Sequence, residues 1–375
     1  MADTHLGFAA YRKYTESAYN QREEDILQAF RQVIDEILKI KPDLVLHAGD
    51  LFDVVRPTNR VLRSAIEQIL RLCEARIPTI IISGNHETPK QRYLGSAFSI
   101  LEILPVPKDL LYIIYKNEYA LLQPFPQFSV HAIPQCTSDE IFTEQLKKVK
   151  KQPGHNILML HAGVTGLKEF SHGDFNELLV DYNYLNQLDF DYVALGHYHG
   201  CVNVARSAWF SGSTERLSFN EAGQAKGFLE VEIGDETKVK PHRIQIRPME
   251  ELEPINAAGL DSIELSNKIE ERIAACQPAG KILRLKINQV SSSVLASLDI
   301  KKIREWAAPA LHFEPIFEKS AKEEGGEIVQ TTSIGGLNEE YNSFLSNHAG
   351  LSDAEKAELK QLGQHYLTAV LEEET

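Results

Sequence analysis

Four times in this chain an apolar run of strand length ends in a polar turn built from glycine, histidine, aspartate or asparagine. The runs are LVLHAGD (44–50), TIIISGNHE (79–87), NILMLHAG (156–163) and DYVALGHYHG (191–200). Short apolar runs closed by turn residues have the character of buried strands. A further polar turn, DTH at 3–5, stands near the start. Apolar residues at helical spacing predict a helix over 20–40, stopped by Lys41-Pro42-Asp43, and a second over 58–76, ended by Pro78. This alternation predicts an α/β fold with its polar turns at the C-terminal ends of strands, the edge where such sheets bind ligands.

Farther along, LYIIY (111–115), YALL (119–122) and FSVHAI (128–133) predict short strands. Residues 138–150 predict a helix, 164–181 a polar loop, and 208–211 and 227–233 further strands. Composition shifts near residue 235, where KVKPHRIQIRPMEELEP brings prolines and many charges. A helix (259–276), a strand (281–288), a helix (299–307) and a strand (311–317) follow without the Asp/His turns. Three units are therefore expected: 1–235, a smaller α/β unit at 236–318, and a linker with C-terminal helices at 319–375, capped by Ser352.

No run of about 18 apolar residues is present, so no membrane-spanning helix is expected. The first residues lack the pattern of a secretory signal. Cys73, Cys136, Cys201 and Cys276 lie far apart, so neither a disulfide framework nor a zinc finger is expected, and a reducing cytoplasm fits. The cysteines read as small buried hydrophobes. The formal net charge of −14 argues against bulk electrostatic capture of nucleic acid. A phosphodiester could then be approached only through bound cations, local basic patches or a partner.

The polar turns deliver Asp3, His5, Asp50, Asp53, Asn85, His86, His161, His197 and His199. Oxygen and imidazole donors without thiolates suit Mn²⁺, Fe²⁺ or Zn²⁺. The set is large enough for two ions sharing a carboxylate, an arrangement suited to hydrolysis of phosphate esters. Each turn taken alone is a common structural feature; their combination and order carry the expectation. Other histidines get ordinary readings, with His47 a satisfied core residue and Tyr198 a packing residue.

In that order (D-x-H, GDxxD, GNH[DE], H, GHxH) the motifs resemble the calcineurin-like metallophosphoesterase superfamily. DTHLG, HAGDLFD, IPTIIISGNHE, LHAGVTG, DYVALGHYHG and WFSGSTERLSFNE are most similar to its DNA double-strand-break-repair nucleases, the SbcD type. The resemblance implies a four-layer metallophosphoesterase β-sandwich flanked by helices, with a smaller α/β capping domain that binds DNA and a C-terminal helical tail. It implies one metal on Asp3, His5, Asp50 and His199, and a second on Asp50, Asn85, His161 and His197. His86 would stabilise or protonate the leaving oxygen, with Asp53 orienting it. The implied reaction is Mn²⁺-dependent hydrolysis of DNA ends, as 3′→5′ exonuclease and as single-strand or hairpin endonuclease. Implied partners are DNA, an SMC-like coiled-coil ATPase of the SbcC type docked on the last helices, and a second copy of the chain through 58–76 and 91–104. Arg12, Lys13, Arg56, Lys90, Arg92 and His172 are candidate substrate contacts, being in loops beside the motifs.

Relatives of this type carry a strand ahead of D-x-H, whereas only Met1 and Ala2 precede Asp3 here. Either the reading frame starts upstream of this Met, or the chain is trimmed, or the sheet has a gap; with a gap, two strands are expected to lack a neighbour, with Asp3 and His5 on a fraying end. Two other readings stay open: a phosphoesterase acting on small diesters or nucleotides, and a non-catalytic scaffold of the same fold.

Overall fold

The structure is a computed structural model and describes residues 1–89, 95–166, 177–319 and 359–360. Helix α1 (Gln21–Ile40) starts at Asn20, whose side chain accepts from the backbone N–H groups of Arg22 and Glu23, and ends at Lys41 in the left-handed region. It leads into β1 (Val45–Ala48). Helix α2 (Asn59–Glu74), capped by Thr58, leads into β2 (Thr79–Ile82), and the short α3 (Phe98–Glu102) into β3 (Leu111–Ile114). These strands form a parallel sheet in the order β1-β2-β3.

A second sheet follows. It collects β4 (Ala120–Phe125), β5 (Phe128–Ile133) and, after α4 (Asp139–Leu146), β6 (His155–His161). The small parallel pair β7 (Gly163–Thr165) and β8 (Leu179–Asp181) precedes α5 (Tyr182–Gln187). Then β9 (Tyr192–Gly196), β10 (Val202–Asn203) and β11 (Ala208–Phe210) complete the sheet, in the order β10-β11-β9-β6-β5-β4.

The period-2 alternation of side chains makes the layers. Ile80, Ile82, Val130, Ile157, Met159, Tyr192 and Ala194 fill the space between the sheets. Val45 and Ile81 face the other way, onto the apolar stripes of α1 and α2. Leu158, Leu160, Val193 and Leu195 pack outward with Phe142 of α4 and Leu185 of α5. The result is the expected helix–sheet–sheet–helix sandwich.

The chain then makes the hairpin β12 (Gly227–Glu232) and β13 (Lys238–Arg243). The boundary expected at 236 falls at the tip of this hairpin, just before β13. The new sheet starts at β14 (Met249–Asn256), which the charged sequence MEELEPIN did not suggest as a strand. β14 is an edge strand, and its register shifts between Leu252 and Ile255, around Pro254. Edges and bulges are where strands tolerate charge and proline. Helix α6 (Ser262–Ala275), opened by an Asp261–Glu264 capping box, leads to the central strand β15 (Ile282–Val290). α7 (Ser292–Ser297) and α8 (Ile300–Trp306) precede β16 (His312–Lys319), and all three strands run parallel. Tyr11 stacks on His312 with ring centres 4.0 Å apart, and Arg247 grips Asp25 of α1 through two nitrogens at 2.6 and 2.7 Å, tying this unit to the first. The expected linker and tail lie outside the described residues, Leu359 and Lys360 apart.

An apolar cleft of about 530 Å³ lies between β1 and β12, lined by Ile37, Leu46, Phe128, Ile157, Phe228 and Val231. The expected fraying does not occur. The Met1 amino group donates to the Leu46 carbonyl, and the backbone N–H groups of Asp3, Thr4, His5 and Leu6 donate to carbonyls of Gly49, Asp50 and Leu51. Residues 2–6 are fully buried, because this ladder continues the edge of β1. Five residues of alternating apolar character placed ahead of Met1 are expected to fill the cleft. Burying each aliphatic side chain contributes about 1.5–3 kcal/mol. At about 2–4 °C per kcal/mol, Tm should rise by roughly 5 °C or more, with tighter metal retention. Scanning calorimetry giving an unchanged Tm would show that the cleft does not take a strand.

Candidate metal centre

The turns that follow β1, β2, β6 and β9, and the DTH turn bonded beside the first of them, bend toward one point between the two sheets. The bends are strained: Asp3, His5, Asp50 and His197 have φ of 51°, 48°, 53° and 101°. Left-handed backbone costs a non-glycine residue about 1–2 kcal/mol, and such residues gather at functional sites. Two glycines permit the close approach. A Cβ on Gly84 would lie 2.2 Å from Asp50 Oδ1, and one on Gly196 would lie 2.0 Å from the Ala48 carbonyl. Glu87 ties two turns together, accepting from the N–H groups of Leu51 and Gly84 at 3.0 and 3.1 Å. Burial, reinforced by the charge of Asp50, pushes the Glu87 carboxyl well above the usual carboxylate range.

Four imidazoles are oriented by groups on their outer nitrogens. His5 Nδ1 meets Asp53 Oδ1 at 3.2 Å, His161 Nδ1 the Ala48 carbonyl at 2.9 Å, His197 Nε2 Glu177 Oε1 at 3.0 Å, and His199 Nδ1 Glu221 Oε1 at 3.0 Å. Carbonyls and carboxylates accept, so these outer nitrogens carry protons and the opposite nitrogens face inward, where metal-ligating lone pairs are exposed once any second proton leaves. The inward atoms crowd. His5 Nε2 and His199 Nε2 are 3.2 Å apart, and His161 Nε2 is 2.9 Å from Asn85 Oδ1 and 3.3 Å from Asp50 Oδ2. His197 Nδ1 is 3.3 Å from Asn85 Oδ1, and His5 Nε2 is 3.6 Å from Asp50 Oδ2. Asp3 Oδ1 accepts from the His197 N–H at 2.9 Å, while Asp3 Oδ2 is buried without a hydrogen bond.

Acceptors this close repel one another unless cations or protons lie between them. The donor set therefore fits divalent ions. Asp3, His5 and His199 form one group of mutually close donor atoms, and Asp3, Asp50 and His161 a second. Asp3 belongs to both groups, and Asp50 Oδ2 lies between His5 Nε2 and His161 Nε2.

The electrostatics show the same demand for positive charge. Burial alone would lower the His161 pKa, but the charge of Asp50 and its hydrogen bond raise it to about 9. Reciprocally, burial would raise Asp50, but His161 holds it well below the usual carboxylate range. Burial and the neighbouring His161 lower His197 to about 4.

Asp53 faces both His5 and His86. Its carboxylate sits 3.2 Å from His5 Nδ1 and 3.8 Å from His86 Nδ1, and its backbone carbonyl, at 3.0 Å, accepts from His86. The buried His5 ring takes the carboxylate; His86, exposed at the tip of its turn, is oriented by main chain. His86 lies on the lip of a cleft of about 290 Å³ with Asp50, Asn85, His197, His199 and Glu221. Its ring is edge-on to His5 at 4.6 Å.

Arg12, Lys13 and Arg56 are exposed, on loops leaving the DTHLG and GDLFD turns. Lys90, Arg92 and His172 lie outside the described residues. His47 is fully buried, bonded to Thr4 Oγ1 at 2.7 Å, and burial lowers its pKa to about 3, as a neutral core histidine requires. Tyr198 packs on Phe210 at 5.6 Å. Cys73 and Cys136 are buried as expected, while Cys201 is exposed at the end of the GHYHG turn. Glu177, Glu221 and Lys226 were not singled out from the sequence, since a carboxylate far along the chain gives no local sign of which ring it holds.

Residues 1–201 of the 375 match the family model for calcineurin-like phosphoesterases. The chain belongs to that family. Membership implies divalent metal ions, which the converging donors fit. The DNA double-strand break repair protein Mre11 of Methanocaldococcus jannaschii is 32% identical over 283 residues, covering 72% of each chain. Mre11 of Methanococcus maripaludis is 32% identical over 237 residues, 60% of this chain and 59% of that protein. The SbcD component of the nuclease SbcCD of Staphylococcus epidermidis is 28% identical over 291 residues, 72% of this chain and 75% of that one. The chain thus spans about three-fifths of the M. maripaludis protein's length. Among the described residues no helix is long and apolar enough to cross a membrane.

Proposed function

We propose that this chain is a DNA nuclease that hydrolyses phosphodiesters at DNA ends with two divalent ions, Mn²⁺ foremost and Fe²⁺ or Zn²⁺ as alternatives. The observation that carries it is the crowding of acceptor atoms from Asp3, His5, Asp50, Asn85, His161, His197 and His199 beneath an open cleft. One ion is assigned to Asp3, His5, Asp50 and His199, the other to Asp50, Asn85, His161 and His197. When bound, they polarise the phosphoryl group and supply hydroxide at neutral pH. His86 donates its Nδ1 proton to the Asp53 carbonyl and presents Nε2 to the cleft, where it can stabilise or protonate the leaving oxygen. The Asp53 carboxylate serves this centre through His5.

DNA as substrate is supported by the names of the relatives, which give DNA double-strand break repair and a nuclease; 3′→5′ exonuclease and single-strand or hairpin endonuclease activity are the modes proposed. Arg12 and Lys13, beside the Tyr11–His312 stack, and Arg56 are proposed to contact the strand backbone, and the unit containing β14–β16 to cap it. A partner subunit is supported by the name of the S. epidermidis relative, one subunit of a larger nuclease, and the partner proposed is an SMC-like ATPase. A homodimer through residues 58–76 and 91–104 is proposed, the second of these faces supported by the exposed Ile100 and Ile103. The absence of a spanning helix among the described residues is compatible with the cytoplasm.

The test uses end-labelled duplex and hairpin DNA with Mn²⁺, beside bis-p-nitrophenyl phosphate. Wild-type protein should degrade DNA, and His86→Ala should be slower by about 10²–10⁴-fold, the range for losing a general acid, with two ions still bound. Turnover of the small diester with no DNA cleavage, even with the ATPase partner added, would favour a small-molecule phosphoesterase. No turnover of either substrate by metal-loaded protein would favour a scaffold.

A further inference from the structure

Resting on that metal-centre reading, we infer that Glu221 and Lys226 form a clamp that positions His199, and that this clamp sets the affinity of the His5/His199 ion separately from its neighbour. The four inward-facing imidazoles are not held alike. His5 and His161 side chains are 1% exposed and His197 5%, so close packing restricts their rings in addition to their hydrogen bonds. His199 is 23% exposed, on a loop beyond the end of β9. Its orientation depends on hydrogen bonding.

The clamp has two jaws. Glu221 Oε1 accepts from His199 Nδ1 at 3.0 Å, which turns Nε2 toward His5 Nε2. Lys226 Nζ donates to the His199 backbone carbonyl at 2.8 Å and pairs with Glu221 Oε2. One ammonium thus holds both the backbone of His199 and the carboxylate that holds its ring. Lys226 is 1% exposed and also contacts Gln224, and Glu221 also accepts from Ser213 Oγ and from the Leu217 N–H. The carboxylate is therefore fixed from several sides, and the ring inherits its position from the 3-10 turn Phe219–Glu221. Among the described residues no comparable clamp serves the second proposed ion, for which Ala48 main chain and Glu177 orient His161 and His197. Outer partners of this kind typically change metal affinity 10–100-fold.

The test compares full-length wild type with Glu221→Gln, Glu221→Ala and Lys226→Met. Glu221→Gln preserves shape and keeps an acceptor oxygen, so it guards against loss of folding. Two readouts are used: Mn²⁺ titration of chelated protein by calorimetry, and the His199 tautomer from ¹⁵N NMR of histidine-labelled protein. Wild type should bind two ions, with Nδ1 of His199 protonated. Glu221→Ala should weaken one ion about 10–100-fold, leave the other within about threefold, and mix the His199 tautomers. Glu221→Gln should fall between, and Lys226→Met should follow Glu221→Ala in direction. Two ions bound with unchanged affinity in every variant, or both weakened equally, would overturn the clamp while leaving the two-ion reading intact. Fewer than two ions bound by wild type would overturn the reading itself and the inference with it.

Discussion

Asp50→Asn is expected to abolish tight binding of both ions and to slow phosphodiester hydrolysis by about 10³-fold or more, at least the scale of losing one preorganised electrostatic contact. Asp50 is the carboxylate proposed to be shared between the ions. Its Oδ1 accepts from the His86 N–H at 3.0 Å, and its Oδ2 faces His161 Nε2 at 3.3 Å and His5 Nε2 at 3.6 Å. An amide of the same shape can keep the first bond but puts an N–H₂ donor among the inward nitrogens. It also removes the charge that lifts the His161 pKa to about 9, so the variant's His161 should titrate lower. Chelated protein should also lose stability at and below neutral pH, because the amide removes the buried charge that stabilises protonated His161. Metal content by mass spectrometry, bis-p-nitrophenyl phosphate turnover and Tm of chelated protein together check this. A variant with two ions per chain and activity within about tenfold of wild type would remove Asp50 from the centre.

Metal binding should be steeply pH-dependent and should release protons. With a pKa of about 9, the buried His161 of chelated protein carries a proton at pH 7 that an incoming ion must displace. The His199 pKa is also raised: burial opposes this, but the hydrogen bond to Glu221 outweighs it. His197, at about 4, is already neutral. Apparent Mn²⁺ affinity should therefore weaken about tenfold per pH unit below about 9 for each proton displaced. The sign for stability is the reverse in chelated protein. A folded pKa of about 9 against an ordinary 6.5 contributes stability that is full below about pH 6.5 and is lost as pH rises through 9. The gap in Tm between metal-loaded and chelated protein should thus widen from about pH 6 to about pH 9. Calorimetric titrations at pH 7 in buffers of different ionisation enthalpy should count at least one proton released per chain. A count of zero would mean that His161 is not a ligand or is not protonated beforehand.

Much of this architecture is legible along the chain, because local rules decide it. The apolar runs at 44–50, 79–87, 156–163 and 191–200 become β1, β2, β6 and β9, and their turns carry the candidate ligands. Strongly periodic helices such as α1 and α2 need only their own stripe and caps to be read. The edge strand β14 was hidden, because an edge tolerates the charges and proline that argue against a strand. β13 was hidden for a related reason: KVKPHR pairs with β12 through its backbone, whatever its side chains say of composition.

The sequence by itself determined the donor set and its order, since metal chemistry demands particular residue types and strand ends deliver them one turn at a time. Only the tertiary structure decided which group orients which ring. Asp53 serves His5 more closely than His86, Glu177 reaches back to His197, and Glu221 with Lys226 closes on His199. These pairings join residues separated by 20 to 48 positions and depend on sub-ångström differences in how turns meet across two sheets. No local periodicity encodes a distance of that kind; packing does.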